Sequence, residues 1–521
     1  WRQRHARTAA LALLAAAGLG TVGCGGSSSV SRSAGAKLPA GVAHEAAPGD
    51  FNRQNAESYG AIVENDFRSP LVEPRSTFSA EVNTASYSNV RRFLNEGKLP
   101  PRDAVLVAEF VNYFPYRYAP PEGGAPVSLN LDLGPCPWNP RHKLARIGVR
   151  AKDIPPGALP ARNFVFLIDT SGSMSDENRL PLVKRALLLL TDGLTERDRV
   201  AIVTYAGEAG LKLPPTPGSR KQTIRDVVNG LRAGGGTNGS GGIQLAYEVA
   251  RRGFAEGGAN RVILCTDGDF NVGVSSPSEL QQLVERERAS GVFLSVLGFG
   301  MGNYKDDRLK ELANHGNGQH AYIDSLAEAL KVFVEQGGAL VCVAKDVKFQ
   351  VEFNPARVAA YRLLGYENRM LKAEDFKNDA KDAADIGAGY TVTALYEVVP
   401  VGVEIDLPDV DPTKYQKPAE AAGGADEWLT AKMRYKRPDG DASEEVSAAL
   451  TGEGEGGEDF RFASAAAEFG LLLRDSKFKG SASYDRVIAR AGGALGSDPG
   501  GHRREFVELV RKAKALSAAK E

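Results

Sequence analysis

The chain is 521 residues long, 42% hydrophobic and 25% charged, with a formal net charge of −1. That length allows several domains and at least one sizeable core. A charge so close to zero leaves no electrostatic footprint for nucleic acid, so no nucleic-acid partner is expected.

The chain opens on Arg2, Arg4 and Arg7, followed by a short apolar run from Ala9 to Gly20. The run is too short to cross a bilayer comfortably, and its basic flank and small residues suit an export signal over residues 1–23. Residues 24–64, rich in Gly, Ser, Ala and Pro, hold few large apolar side chains and read as a flexible tether. Residues 65–125 read as a small N-terminal domain. Asn83 or Thr84 caps a helix that carries Tyr87, Val90, Phe93 and Leu94, and Gly97 stops it. A second helix after Pro101 carries Val107, Phe110, Val111 and Phe114.

From residue 126 the pattern changes to apolar alternation, which predicts strands at 127–133 and 144–149 and again at 341–351, 390–399 and 428–435. Segments 126–161 and 338–440 therefore read as the two parts of one β-sandwich interrupted by another domain. Residues 441–521 read as a linker followed by helices. One stripe there holds Phe462, Ala466, Phe469, Leu472 and Leu473, and another holds Phe506, Leu509 and Val510.

Between residues 162 and 337 strands alternate with helices. Strands are predicted at 164–168, 200–205, 261–266, 292–297 and 320–323, and helices at 177–192, 219–231, 240–254, 277–290, 305–313 and 325–335. This alternation predicts an α/β fold with a doubly wound, mostly parallel sheet. Its first strand, Phe164 to Ile168, contains no polar residue, as burial on both faces requires. That strand ends in Asp169, Ser171 and Ser173, three oxygen-bearing side chains spaced two apart. In open α/β sheets ligands bind beyond the carboxyl ends of strands, so these oxygens belong to the rim where a site would form.

Two further loops carry oxygen donors: Thr237 sits on a glycine-rich turn before a helix, and Asp267 ends a buried strand. Neither Cys nor His occurs in the three loops, which favours Mg²⁺, Mn²⁺ or Ca²⁺ over softer metals. Phosphate-loop, dinucleotide, nucleophile-elbow and His-Glu-x-x-His patterns are all missing.

The order Asp169-x-Ser171-x-Ser173, then Thr237, then Asp267 resembles the metal-ion-dependent adhesion site of von Willebrand factor A domains, over residues 162–337. The resemblance implies that Ser171, Ser173 and Thr237 bind the ion directly, with Asp169 and Asp267 acting partly through water. It also implies an open coordination position for an Asp or Glu carboxylate of a protein partner. Residues 76–94 and 344–355 resemble the flanking regions of bacterial YfbK-like lipoproteins. Thr21-Val22-Gly23-Cys24 resembles a lipobox, which implies a lipid on Cys24 and attachment to the outer membrane or cell surface.

The expected function is an envelope-anchored, metal-dependent protein-binding module with no catalytic residue. The alternative is a metal-assisted hydrolase at the same site, for which Asp269 is the spare carboxylate nearby. With Cys24 lipidated and Cys265 buried in its strand, Cys136 and Cys342 remain as a possible disulfide across the sandwich.

Overall fold

The computed structural model describes residues 57–206, 209–235, 240–268, 277–300, 305–407 and 426–519. Strand β1 (Arg75–Ser79) comes first, followed by helices α1 (Ala85–Asn95) and α2 (Val107–Asn112) and strands β2 (Val127–Pro135) and β3 (Lys143–Ala151). The inserted domain begins with β4 (Arg162–Asp169), α3 (Leu180–Asp192), β5 (Arg199–Tyr205) and β6 (Ala209–Pro217). It continues through α4 (Lys221–Gly230), α5 (Ser240–Arg252), β7 (Ala259–Thr266), α6 (Pro277–Ala289) and β8 (Val292–Phe299). It closes with α7 (Asp306–His315), β9 (His320–Ile323) and α8 (Leu326–Leu330). The chain then returns through β10 (Cys342–Phe353), β11 (Val358–Leu364), β12 (Met370–Leu371), β13 (Ile386–Gly387) and β14 (Thr391–Pro400). Strands β15 (Glu427–Lys436) and β16 (Ser443–Thr451) lead to helices α9 (Glu458–Arg474), α10 (Tyr484–Gly492) and α11 (His502–Ala518).

The inserted domain has the expected architecture, a six-stranded sheet in the order β6-β5-β4-β7-β8-β9. All neighbours run parallel except β5 and β6. Strand β4 lies inside that order, which explains its unbroken apolar run. Phe164, Phe166 and Ile168 join Leu187 and Leu190 of α3 on one face, while Val165 and Leu167 join Ile243 and Tyr247 of α5 on the other. Edge strand β6 escapes sequence reading because prolines break its alternation, and an edge is where a sheet tolerates them. The helix expected over 325–335 is α8 continued by a π-helical turn, Lys331–Glu335.

Two antiparallel sheets form the sandwich. One runs β12-β1-β10-β15-β16 with β13 beside β10, and the other runs β11-β14-β3-β2. Phe78, Phe349 and Phe353 of the first face Tyr361, Tyr396 and Val398 of the second, and the rings of Phe353 and Tyr361 stack at 3.9 Å. Strand β14 is buried on both sides: Val392, Ala394 and Tyr396 enter this core, while Leu395 enters a helical core behind it.

The flanking regions correct the sequence reading in three places. Segment 65–125 does not stand apart: β1 pairs with β10, and α1 and α2 share one core with α9, α10 and α11. Residues 443–451 form a strand on β15, and alternation there is faint because its inward residues are Val446, Ala448 and Leu450. The last residues of the supposed tether are pinned. Glu57 meets Arg92 at 2.9 Å, the Asn89 amide donates to the Tyr59 hydroxyl at 2.8 Å, and Ser476 Oγ donates to Glu64 at 2.8 Å.

The Cys136–Cys342 pairing is also corrected: both thiols are free. Cys136 follows β2 and faces the helical core, whereas Cys342 begins β10 in the opposite sheet. Cys24 lies outside the described residues, and among those described no helix is long and apolar enough to cross a membrane.

The stretch before α1 covers the outer edge of β9. His320 N–H donates to Asn83 Oδ1 at 2.8 Å, and Thr84 N–H donates to the His320 carbonyl at 3.3 Å. Buried charges reinforce this joint. Lys310 of α7 meets Glu109 of α2 at 2.6 Å and Glu81 at 3.3 Å, and Arg369 meets Glu81 at 2.8 Å. Arg91 of α1 reaches Glu328 of α8 at 2.7 Å and Glu505 of α11 at 2.9 Å.

Candidate metal centre

Strand β4 delivers Asp169 to the carboxyl rim of the sheet, fully buried. Thr170 N–H donates to the Tyr205 carbonyl at the end of β5 at 2.9 Å, which ties the turn to the neighbouring strand. Ser171 N–H then donates to Asp169 Oδ1 at 2.8 Å, the bond by which an Asp folds its own backbone back two residues on. The two-residue spacing therefore has a structural role. It sets the Ser171 and Ser173 hydroxyls 2.9 Å apart.

The glycine-rich loop docks on this turn through its backbone. Gly172 N–H donates to the Gly235 carbonyl at 3.1 Å, and Gly234 N–H donates to the Thr170 carbonyl at 2.8 Å. Gly235 has φ +89°, a conformation that side chains other than glycine's resist. Thr237 itself lies outside the described residues, as does Asp269.

Strand β7, adjacent to β4 in the sheet, carries Asp267 to the same rim, where it is 1% exposed. Four of the five sequence-picked residues are therefore gathered from the ends of neighbouring strands. Asp169 Oδ2 and Asp267 Oδ1 are both buried without a hydrogen-bond partner among the described residues. Burial pushes the Asp169 carboxyl up to about 6; its bonds to Ser171 oppose the shift, and the nearby Asp267 charge adds to it. Each acid thus keeps one buried oxygen without a hydrogen-bond partner among the described residues, a position that a bound cation would satisfy.

The donors on hand are carboxylate and hydroxyl oxygens, which suit a small hard ion. Among the described residues no group of three or more His, Cys, Asp or Glu side chains could hold a metal. A His/Cys site or an all-carboxylate cage is thus not present there, and any ion would need the serines. The orphaned oxygens and the serine pair fit such an ion.

Sequence reading missed one charged neighbour. Arg179, immediately before α3, is only 7% exposed, and its Nη1 lies 3.2 Å from Asp267 Oδ2. The same nitrogen donates to the Ser173 carbonyl. A lone Arg ahead of a helix reads as a solvated charge, and no spacing rule marks it.

A doubly wound sheet with this loop cluster on its rim defines a von Willebrand factor A-domain protein, and the profile of the von Willebrand factor type A domain matches residues 163–336. A second profile, described as von Willebrand factor, matches residues 53–146, and one described as "Uncharacterized protein YfbK, C-terminal" matches residues 338–516. The chain belongs to the YfbK family. It is 43% identical over 474 residues to "Uncharacterized protein YfbK" of Escherichia coli (strain K12), covering 88% of this chain and 81% of that one. The human inter-alpha-trypsin inhibitor heavy chain H4 is 34% identical over 148 residues, which are 27% of this chain and 16% of that protein. Among solved structures, a von Willebrand factor type A protein from Catenulispora acidiphila is similar at 17% identity and a TM-score of 0.42. It covers 76% of this chain and 92% of its own.

Proposed function

We propose that this chain is an exported, lipid-anchored module that binds a protein partner through a divalent cation, Mg²⁺ first and Mn²⁺ or Ca²⁺ as substitutes. The observation that carries this reading is the pair of orphaned, buried carboxylate oxygens beside the paired hydroxyls of Ser171 and Ser173. Ser171, Ser173 and Thr237 would hold the ion, with Asp169 and Asp267 supplying negative charge behind them. Asp169 also fixes the Ser171 turn through Oδ1, so it orients a ligand as well as balancing charge.

When bound, the cation supplies an electrophilic centre for one further oxygen ligand. With three neutral hydroxyls among its ligands it keeps much of its positive charge, which favours an Asp or Glu carboxylate from the partner. The rim of an open sheet offers that approach. The membrane attachment rests on Cys24 after its short apolar run. Labelled fatty acid should enter the wild type and fail to enter Cys24→Ser; equal labelling of the two would remove the anchor.

Binding to the folded state alone stabilises it, so Mg²⁺ at about a hundred times its Kd should add about 2.7 kcal/mol. A dose-dependent rise in melting temperature is expected, with Ser171→Ala and Thr237→Ala losing it while remaining folded. Partner capture from native membranes should require the ion and fail in the same variants. Phosphoester or peptide turnover that disappears in Ser171→Ala would replace binding by hydrolysis, and capture that persists in chelator would end both readings.

A further inference from the structure

We propose that Arg179 is a resident cation of the rim site: its guanidinium pairs with Asp267 and competes with a divalent ion for the charge of that carboxylate. The inference rests on the metal reading above and adds a competitor within the chain.

The geometry is that of a clamp. Arg179 Nη1 lies 3.2 Å from Asp267 Oδ2, donates to the Ser173 carbonyl, and stands 3.6 Å from Asp176. One group thus spans the first motif loop and the strand end that carries Asp267. The side chain is 9% exposed and Asp267 is 1% exposed, so water screens the pair poorly. A buried carboxylate with this partner has part of its charge answered already, and a divalent ion must compete for it.

The fold makes room for the arginine in a specific way. Gly300, just beyond β8, has φ +74°, and a Cβ added there would stand 2.4 Å from Arg179 Nε and 2.6 Å from its Cγ. The Tyr322 hydroxyl of β9 donates to the Gly300 carbonyl and holds that backbone against the guanidinium. Glycine at this position leaves the space into which Arg179 is folded. A salt bridge needed only to steady α3 would not require that cradle, since Arg179 also has Asp176 at the open side, 54% exposed.

Two substitutions test the competitor by different routes. Arg179→Gln removes the charge, and Gly300→Ala keeps it but crowds the side chain out of its cradle. Mn²⁺ binding to the mature full-length chain is measured by calorimetry, with Ser171→Ala as the control for the site. Both variants should bind Mn²⁺ at least about tenfold more tightly than wild type, the scale of one contact to a poorly solvated charge. Each should also melt at a lower temperature than wild type in chelator and close that gap when Mn²⁺ is added.

Ser171-dependent binding in wild type that is unchanged or weaker in both variants overturns the inference and leaves the metal reading standing. If Arg179→Gln fails to fold, the Gly300→Ala affinity decides. Mn²⁺ binding by neither wild type nor variants overturns the metal reading and this inference together.

Discussion

The inserted domain builds its sheet from one continuous stretch, β4 to β9, whereas the frame around it draws each sheet from both sides of the insertion. In the frame, β1 pairs with β10 and β3 pairs with β14, so neither sheet can close until the whole insert has been made. Its helical layer is similarly split, with Tyr87, Phe110 and Phe114 packed on Phe462, Phe469 and Phe506. Local strand–helix–strand contacts form with little loop-closure cost, and the frame's contacts carry most of that cost. The difference teaches where the molecule is vulnerable: the insert's sheet closes within its own segment, while its seat on the frame includes a joint of buried charges.

Breaking that joint should give the largest effect. Lys310→Met leaves the buried Glu109 without its ammonium partner, held among the described residues only by the Ser86 N–H, while Glu81 keeps Arg369. Removing one partner of a buried pair typically costs about 3–5 kcal/mol. Urea denaturation followed by both aromatic fluorescence and far-ultraviolet dichroism should show this loss. The two probes should separate into two transitions as the insert comes loose from the frame. Adding Glu109→Gln to Lys310→Met should recover part of the stability, because the orphaned charge disappears. A single coincident transition with a loss below about 1 kcal/mol would mean that apolar packing, not charge, holds the joint.

The insert was legible because its parallel strands are buried on both faces and read as unbroken apolar runs, β4 most plainly. The placement of Asp169, Ser171, Ser173 and Asp267 on one rim was legible for a related reason: each lies within a few residues of the end of such a run, so finding the strand end finds the rim. Arg179 was not, because nothing local distinguishes a buried arginine from a solvated one. Its partner Asp267 lies just beyond β7, and the space it fills is set by Gly300 just beyond β8. The frame was half legible. Alternation gave β2, β3, β10, β14 and β15, but pairing is a property of distant segments, so β1 was assigned to a separate domain and β16 to a linker. Cys136 and Cys342 show the same limit. Both flank the insert in sequence, yet one follows β2 and the other begins β10, strands of different sheets, with both thiols free, and flanking an insertion says nothing of which layer each side joins.

A smaller effect should come from acid, and it falls on the same joint. The edge of β9 is held by backbone bonds between His320 and the Asn83–Thr84 stretch. Burial pushes the His320 imidazole down to about 4; the nearby Glu109 and Glu81 carboxylates pull it up, and the Lys310 ammonium opposes them. The folded protein therefore holds His320 neutral, while an unfolded chain takes a proton as the pH falls below about 6.5. The stability that the neutral ring contributes is complete above about pH 6.5, declines as the pH falls, and is gone near pH 4. Between pH 7 and 4.5 this amounts to about 2–3 kcal/mol at most. Carboxylates elsewhere titrate in the same range, Asp385 among them, with its carboxyl pushed up to about 7 by burial. The quantity to read is thus the difference between wild type and His320→Gln. The glutamine variant should be the less stable at pH 7 and should lose less than wild type on going to pH 4.5. Proteolysis at pH 4.5 should cut wild type first in the 80–84 stretch that covers β9. Equal pH dependence in the two proteins would free the β9 edge from any link to His320 and shift the acid sensitivity of the joint to its buried carboxylates.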